Sequence, residues 1–543
     1  MTKTNTNHAV RLGIQPDFYV IVFYFSTHVK NGIFTKLLKF LKGDYIVRSL
    51  LSSVNIRQLR MVEYLNRCRN GASIDTLTEV LDCSERLIRE DITDINKNTG
   101  CLTIESEKGY IYMQYDRHKN IDSVIQYMFE NTSGFQILEL IFNNENLMTA
   151  DLAKLCDVST STIYRTVNKI NEVLDEQYGI TVIQNPYHLA GEEREIRNFY
   201  THFFTEKYLA YPWPFPTLDE IKFEAFFQDL LKSPVSNFTF SEFRFIKISA
   251  AISYIRYMNG HNVNFDGMQL NDYFISKINN MTPSKKLNHE IFLQTEINLC
   301  FVRQLFHPFV VDGFYISYKD MIDGSSVNSV TRKSSNLICE FIARLIEEFH
   351  LVPPNDEKLT LALHNISYLG HSVNHRTYIL RQHSSRLLET TKQLNPVFYR
   401  RTMEEVEKYM LEVWGASDSA AVNNAVYTLI ASWNNLYHEL QKRKKPVTVL
   451  ICSVIGNFQA EMIKELVKYE FNDKLSIDIY NGVHFRIEEI TALGYDICIT
   501  DFSIDNTDNQ RCVCFNDLSS DDDLLILKNM ITEIQNTLTV VTA

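Results

Sequence analysis

The chain has 543 residues, enough for several domains, since one core rarely grows past about 250–300 residues. With 45% hydrophobic and 22% charged residues it has an ordinary globular composition. Its net charge of −12 excludes a uniformly basic nucleic-acid binder, and residues 45–200 carry only 16 Lys and Arg against 23 Asp and Glu. Any DNA contact must therefore come from local placement of charge.

Ten scattered cysteines contain no CxxC pair, which argues against a zinc site and for reduced thiols in the cytoplasm. No apolar run approaches the about 18–20 residues that cross a bilayer.

Residues 1–44 form an N-terminal extension that matches no repeat. Lys3, Arg11, Lys30, Lys36, Lys39 and Lys42 face only Asp17 and Asp44 there. The stretch reads as poorly ordered or as a basic arm.

A first winged helix-turn-helix domain is expected over residues 45–118. Tyr45–Cys68 is helical, with Leu59, Val62, Tyr64 and Leu65 as its stripe. Ser73 and Ser84 are expected to cap the next two helices, and Asp82 to take the left-handed turn between them. Leu77, Val80 and Leu81 face inward, as do Ile88, Ile92 and Ile95. Arg86, Arg89, Glu90 and Thr93 line the outer face of the second helix. That face reads either as a groove reader or as a solvated surface, since Glu85, Asp91 and Asp94 sit alongside. Leu102–Met113 alternates around Lys108-Gly109 as a hairpin wing.

A second copy, over residues 119–197, follows at an offset of 75. Leu77 pairs with Leu152, Asp82 with Asp157, Ser84 with Ser159, Ile88 with Ile163, Ile92 with Val167 and Ile95 with Ile170. Thr149 is expected to cap its middle helix, with Leu152 and Leu155 inward. Thr160, Ser161, Tyr164, Arg165, Asn168 and Lys169 form its outer face, without a carboxylate before Glu172. Hydroxyls, an amide and positive charge make this the better DNA reader. Ile180–Leu189 is its wing, turning at Asn185-Pro186.

Aromatic-rich helices follow in two bundles, residues 198–315 and 316–440. Ile252-Ser253-Tyr254 recurs as Ile366-Ser367-Tyr368, and His261 as His375, at an offset of 114. After the charged linker QKRKK, residues 446–543 alternate strand and helix. Strands at Pro446–Ser453, Leu475–Tyr480, Asp496–Thr500 and Cys512–Phe515 predict a small parallel sheet. Helices are expected at Phe458–Tyr469 and Ser519–Thr537. The fold class is thus mainly α and multidomain.

This domain order resembles the Mga/AtxA family of Gram-positive virulence regulators. So do the segments RSLLSSVNIRQLRMVEYL, LAGEEREIRNFY, ISAAISYIRYMNG and LALHNISYL. The resemblance implies two helix-turn-helix domains, two helical domains like those that regulate through the sugar phosphotransferase system, and a tail like its enzyme IIB. It implies a non-enzymatic, cytoplasmic DNA-binding activator of virulence or carbohydrate-responsive genes, with no cofactor. Expected partners are promoter DNA, a second copy through the C-terminal domain, the phosphocarrier protein and RNA polymerase.

The resemblance makes histidines of the two bundles phosphorylation candidates. Ala250-Ala251 stand where a histidine is common, which leaves His202 and His261 in the first bundle, and in the second His364 of LALHNISYL is the best match, with His375 next. Cys452, ending the first strand of the tail, matches the phosphate-carrying cysteine of enzyme IIB. Its following loop has only Gly456, so the tail reads as a dimerisation module with a vestigial site. An RNA-binding antiterminator and a phosphotransferase carrier acting through Cys452 are the alternatives.

Overall fold

The computed structural model describes residues 46–541 apart from 69–70, 232–239, 269, 271–280, 312, 373–377, 382–383, 416–417, 443–444, 505–510 and 516–519. The expected N-terminal extension, His375 and residues 443–444 of the basic linker lie outside the described residues. The chain divides into two compact units, residues 1–312 with 376–382, and residues 313–375 with 383–543.

The first unit begins with a short 3-10 turn, Ile46–Leu50, followed by α1 (Ser53–Leu65). Ser52 caps α1 by accepting the Asn55 N–H, so the single helix expected from Tyr45 is broken there. Helices α2 (Ile74–Leu81) and α3 (Glu85–Asn98) make the first helix-turn-helix. The wing is β2 (Leu102–Glu107) against β3 (Tyr110–Tyr115), with the short β1 (Ala72–Ser73) adding to β3. Lys108 and Gly109 both have positive φ, at 48° and 84°, as a tight two-residue hairpin requires.

The second copy has α4 (Ile121–Glu130), α5 (Ser133–Asn143), α6 (Thr149–Leu155), α7 (Thr160–Tyr178) and a wing of β4 (Thr181–Ile183) with β5 (His188–Ala190).

The offset of 75 is structural. Leu77 and Leu152 are fully buried, as are Ile88 and Ile163. Asp82 and Asp157 take matching left-handed turns, with φ 50° and 53°. Ser159 caps α7 by accepting the Thr162 N–H, and Ser73 caps α2 by accepting the Thr76 N–H, a position held by Met148 in the second copy. Ser84 stands at the cap position but its hydroxyl makes no capping bond.

A further pair keeps the same offset. The Asn96 side chain donates to Ile104 O and accepts the Ile104 N–H, both at 2.8 Å. Asn171 does the same with Val182, at 3.2 and 2.6 Å. Each asparagine thereby pins a wing strand to the preceding long helix.

Two expectations about the middle helix of the second copy are corrected. Met148, not Thr149, is its N-cap residue, and the Met148 N–H donates to Asp151. Leu155 is 57% exposed rather than inward, because the helix ends there and turns away from the core.

The first helical bundle contains α8 (Glu193–Tyr208), α9 (Glu220–Leu231), α10 (Phe240–Met258), α11 (Pro283–Leu293) and α12 (Leu299–Leu305). Phe199, Tyr200, Phe203 and Phe204 of α8 are fully buried. Phe203 meets Phe129 of α4 at 5.4 Å between ring centroids, and Phe204 meets Phe142 of α5 at 4.8 Å. The second helix-turn-helix and this bundle therefore share one apolar seam. Residues 378–381 belong to the same unit. The Glu206 carboxylate accepts the N–H groups of Ile379, Leu380 and Arg381. Burial pushes that carboxyl up to about 7, against the pull of these three donors.

The second unit holds α13 (Tyr318–Ser325), α14 (Ser329–Phe349), α15 (Asp356–Ser372), α16 (Ser384–Leu394), α17 (Pro396–Trp414), α18 (Ser419–Ser432) and α19 (Leu436–Lys442). Their core includes Ile338, Phe341, Leu345, Leu363, Val406 and Val426.

A four-stranded parallel sheet follows, formed by β6 (Val447–Cys452), β7 (Leu475–Ile479), β8 (Ile497–Thr500) and β9 (Cys512–Cys514) in the order β7-β6-β8-β9. Helices α20 (Asn457–Phe471) and α22 (Asp521–Val541) pack on one face, where Ile463, Val467, Leu527 and Ile531 meet Val449 and Ile451. Helix α21 (Ile487–Ala492) brings Ile490 to Leu450, Cys452 and Cys498 on the other face.

Replacing Asn171 with Ala should cost about 1–3 kcal/mol, because it removes both bonds and leaves a strand amide unpartnered. Denaturant unfolding, with faster hydrogen exchange at the Val182 amide, would register the loss. Asn96→Ala should act likewise at Ile104.

Candidate functional site

The two recognition helices share a frame and differ in surface. On α3, Arg86 lies 3.5 Å from Glu90 and Arg89 lies 2.7 Å from Glu85, each four residues away. Both arginines are exposed, but each is drawn to a carboxylate of its own helix. Asp91 is not on this face. It is 1% exposed and bound by Arg57, with Arg57 Nη2 at 2.9 Å from its Oδ1. A carboxylate expected beside the reading surface instead joins α1 to α3.

On α7, Thr160, Ser161, Tyr164, Arg165 and Asn168 are all exposed, while Ile163, Val167 and Ile170 are buried. Arg165 has no ion-pair partner among the described residues. The Ser161 hydroxyl lies 2.8 Å from Ser159 Oγ at the helix start. Tyr164 presents its ring, with its hydroxyl 3.4 Å from Thr149 Oγ1. Thr149 also meets Asn185 at 3.2 Å and Tyr187 at 3.1 Å. The hydroxyl that was expected to cap α6 thus ties α6, α7 and the wing together.

Lys169 departs from expectation. Its ammonium donates to Leu51 O at 3.1 Å, and burial lowers its pKa from the ordinary lysine value. It closes an open carbonyl beside the 3-10 turn instead of facing outward. Lys154, exposed on α6, is a positive group that periodicity alone did not single out.

The candidate histidines have unlike surroundings. His202, on α8, is partly buried beside the Phe245 ring, and burial pushes its imidazole down to about 4. His364 is fully buried. Its Nδ1 lies 2.8 Å from Ser334 Oγ and its Nε2 2.8 Å from Gly313 O. Burial lowers it to about 4, opposed in part by the Gly313 carbonyl. His261 follows α10 and is partly open, with its Nε2 2.7 Å from Glu145 of the second helix-turn-helix.

That contact belongs to a larger ionic cluster that sequence reasoning missed. Arg256 donates to Glu145 and, through Nε and Nη2, to both oxygens of Glu193. Arg197, 0% exposed, donates to Glu193, Gln304 O and His261 O. Burial pushes the Glu193 carboxyl up, but the two guanidiniums outweigh it and hold it below the usual carboxylate value. The available signal was a lone arginine, Arg256, in an otherwise apolar helix turn.

Cys452 ends β6 and is 2% exposed. Its sulfur lies 4.0 Å from that of Cys498, whose hydrogen bond draws the Cys452 pKa down against burial. The loop after it is already filled. Asp501 accepts the Ser453 hydroxyl and the Val454 N–H, and Ser453 Oγ accepts the N–H groups of Ile455 and Gly456. A fixed carboxylate thus takes up loop donors that a phosphate would need. On α20, Phe458 is 95% exposed and Tyr469 83% exposed. Met462 and Leu466 lie between them, and Val454 and Ile455 lie on the adjoining loop.

Comparison with known families agrees with these parts. The Mga helix-turn-helix domain matches residues 117–204. A general helix-turn-helix domain matches 57–112. The PRD domain of the M protein trans-acting positive regulator matches 235–436. A protein of Streptococcus pneumoniae serotype 4 described as a trans-acting regulator is 25% identical over 480 residues, covering 87% of this chain and 97% of that protein. The capsule synthesis positive regulator AcpB of Bacillus anthracis is 22% identical over 487 residues, covering 86% and 96%. The capsule synthesis positive regulator AcpA of the same organism is 24% identical over 169 residues, covering 30% and 34%. With both of its characteristic domains matched in order, the chain belongs to the Mga family of helix-turn-helix regulators.

Proposed function

We propose that this protein is a DNA-binding transcription activator that reads its operator with α7. The observation that carries this is the outer face of α7. Thr160, Ser161, Tyr164, Arg165 and Asn168 are exposed together, and the face holds no carboxylate before Glu172. In a chain of net charge −12, such a face is where a phosphate backbone meets least repulsion. Helix α3 plays a supporting part, since Arg86 and Arg89 already lie beside their own glutamates. The relatives named as positive regulators of capsule synthesis support activation of virulence or surface genes, with RNA polymerase as a partner.

Phosphorylation by the sugar phosphotransferase system is assigned to His261. Among the described candidates it is the one with a partly open ring and an acidic neighbour on the DNA-binding domain. A phosphoryl group on Nε2 would replace the contact with Glu145 by repulsion. The C-terminal domain serves dimerisation through the α20 stripe. Such a row of exposed apolar side chains on one helix is a common mark of an interface. Phosphoryl carriage by Cys452 is disfavoured by the burial of its thiol and by Asp501 in the loop.

Three outcomes are expected. Arg165→Ala should weaken binding to promoter duplex and make the salt dependence shallower by about one unit, whereas Lys169→Ala should leave that slope unchanged. Salt titrations of both variants test this, and an unchanged Arg165→Ala slope would remove α7 as the reader. Retention of hairpin RNA but not duplex would favour the antiterminator. With enzyme I of the phosphotransferase system, the phosphocarrier protein and phosphoenolpyruvate supplied, His261→Ala should lose the acid-labile phosphoryl label that the wild type takes up; a full label in that variant would exclude this site. Phe458→Asp should shift the protein to monomer in sedimentation, and an unaltered dimer would place the contact elsewhere.

A further inference from the structure

The ionic cluster at the end of the first bundle touches the DNA-reading domain at one loop. Residues 144–148 connect α5 to α6. Within them, Leu147 O accepts the Tyr187 N–H of the wing at 3.0 Å, and Met148 starts α6. Thr149, the next residue, reaches Tyr164 on α7 and both Asn185 and Tyr187 on the wing. The bundle holds the same loop by Glu145, which receives Arg256 and His261.

We infer that the Glu145–Arg256–His261 contact is a positioning device for DNA reading, through which the first bundle fixes the placement of α6, α7 and the wing. None of its three members lies on the exposed face of α7, so it acts through the loop.

The geometry favours a device that can open without unfolding. Arg256 has 3% side-chain exposure and is gripped through two nitrogens by Glu193, which also holds Arg197. Neutralising Glu145 therefore leaves Arg256 paired inside the bundle. Glu145 is the more accessible end, at 17%. Removing its charge frees a connecting loop while the aromatic seam of α8 stays intact. A charge introduced at His261 would bear first on Glu145, so this is the route by which an event in the bundle would reach α7.

The inference rests on α7 being the reader, and the test separates the two. Full-length wild type, Glu145→Gln, Glu145→Ala and Arg165→Ala are compared on a duplex enriched from a random-sequence pool by the wild-type protein. The two Glu145 variants should bind about tenfold more weakly, with the wild-type salt slope and an unchanged unfolding midpoint. Arg165→Ala should lose slope. Hydrogen exchange in the free proteins should quicken at residues 147–155 and Tyr187 in the Glu145 variants only.

Wild-type affinity and exchange in both Glu145 variants, with Arg165→Ala impaired, would overturn the device and leave the reader standing. Unaltered binding by Arg165→Ala would overturn the reader, and the exchange data then decide the junction alone. Weakening that merely tracks a lower unfolding midpoint would reduce Glu145 to a structural role and overturn the proposal.

Discussion

Helix α8 constrains the first unit from two sides. Along its length, Phe199, Tyr200, Phe203 and Phe204 fill the space between α4, α5 and the bundle, with ring centroids mostly 5–6 Å from their neighbours. At its N-terminal end, Glu193 and Arg197 carry buried charge that must be paired to be tolerated. Apolar burial is indifferent to small rotations, whereas a guanidinium bound through two nitrogens to one carboxylate is not. The seam holds the second helix-turn-helix to the bundle, and the ionic end is the part we propose sets its orientation. The helix proposed as the reader, α7, has few positive residues and would depend on that orientation, because it has little electrostatic attraction to compensate for a misplaced face.

The duplicated helix-turn-helix separates frame from surface. Buried leucines and isoleucines, left-handed aspartates and wing-pinning asparagines recur at 75 residues because packing and backbone geometry tolerate few substitutes. The exposed positions have diverged. On α3 of the first copy, Arg86 and Arg89 each lie beside a glutamate four residues away. In the second, the corresponding surface carries hydroxyls, an amide and the Arg165 guanidinium, which has no ion-pair partner among the described residues. One copy can thus keep the shape of a reader while the other keeps its chemistry.

The same division explains what could be read from the residues alone. The buried stripes of α3 and α7, the turns at Asp82 and Lys108-Gly109, and the β-α alternation after residue 446 follow from local periodicity and turn preference. Lys169 and Asp91 were misassigned because helical spacing places a Cβ on a face but does not say where a long or charged side chain finds its partner. Lys169 reaches Leu51, 118 positions away; Asp91 reaches Arg57, 34 away. Spacing places Leu155 inward, but a helix as short as α6 does not complete its stripe. The Glu145–Arg256–His261 cluster is a long-range arrangement of charges that look like ordinary surface residues one by one.

In the C-terminal domain the strand order β7-β6-β8-β9 creates a crevice at the carboxyl ends of β6 and β8, where open parallel sheets usually bind ligands. Here Ser453 and Asp501 occupy that position and satisfy the loop amides themselves. The carboxylate repels an incoming phosphate and leaves few backbone donors to hold one. The apolar surface of the domain has moved outward instead, onto α20 and its preceding loop. The switch point of this sheet has its polar site closed from within, while the outer face of α20 is left open. That combination suits association better than catalysis.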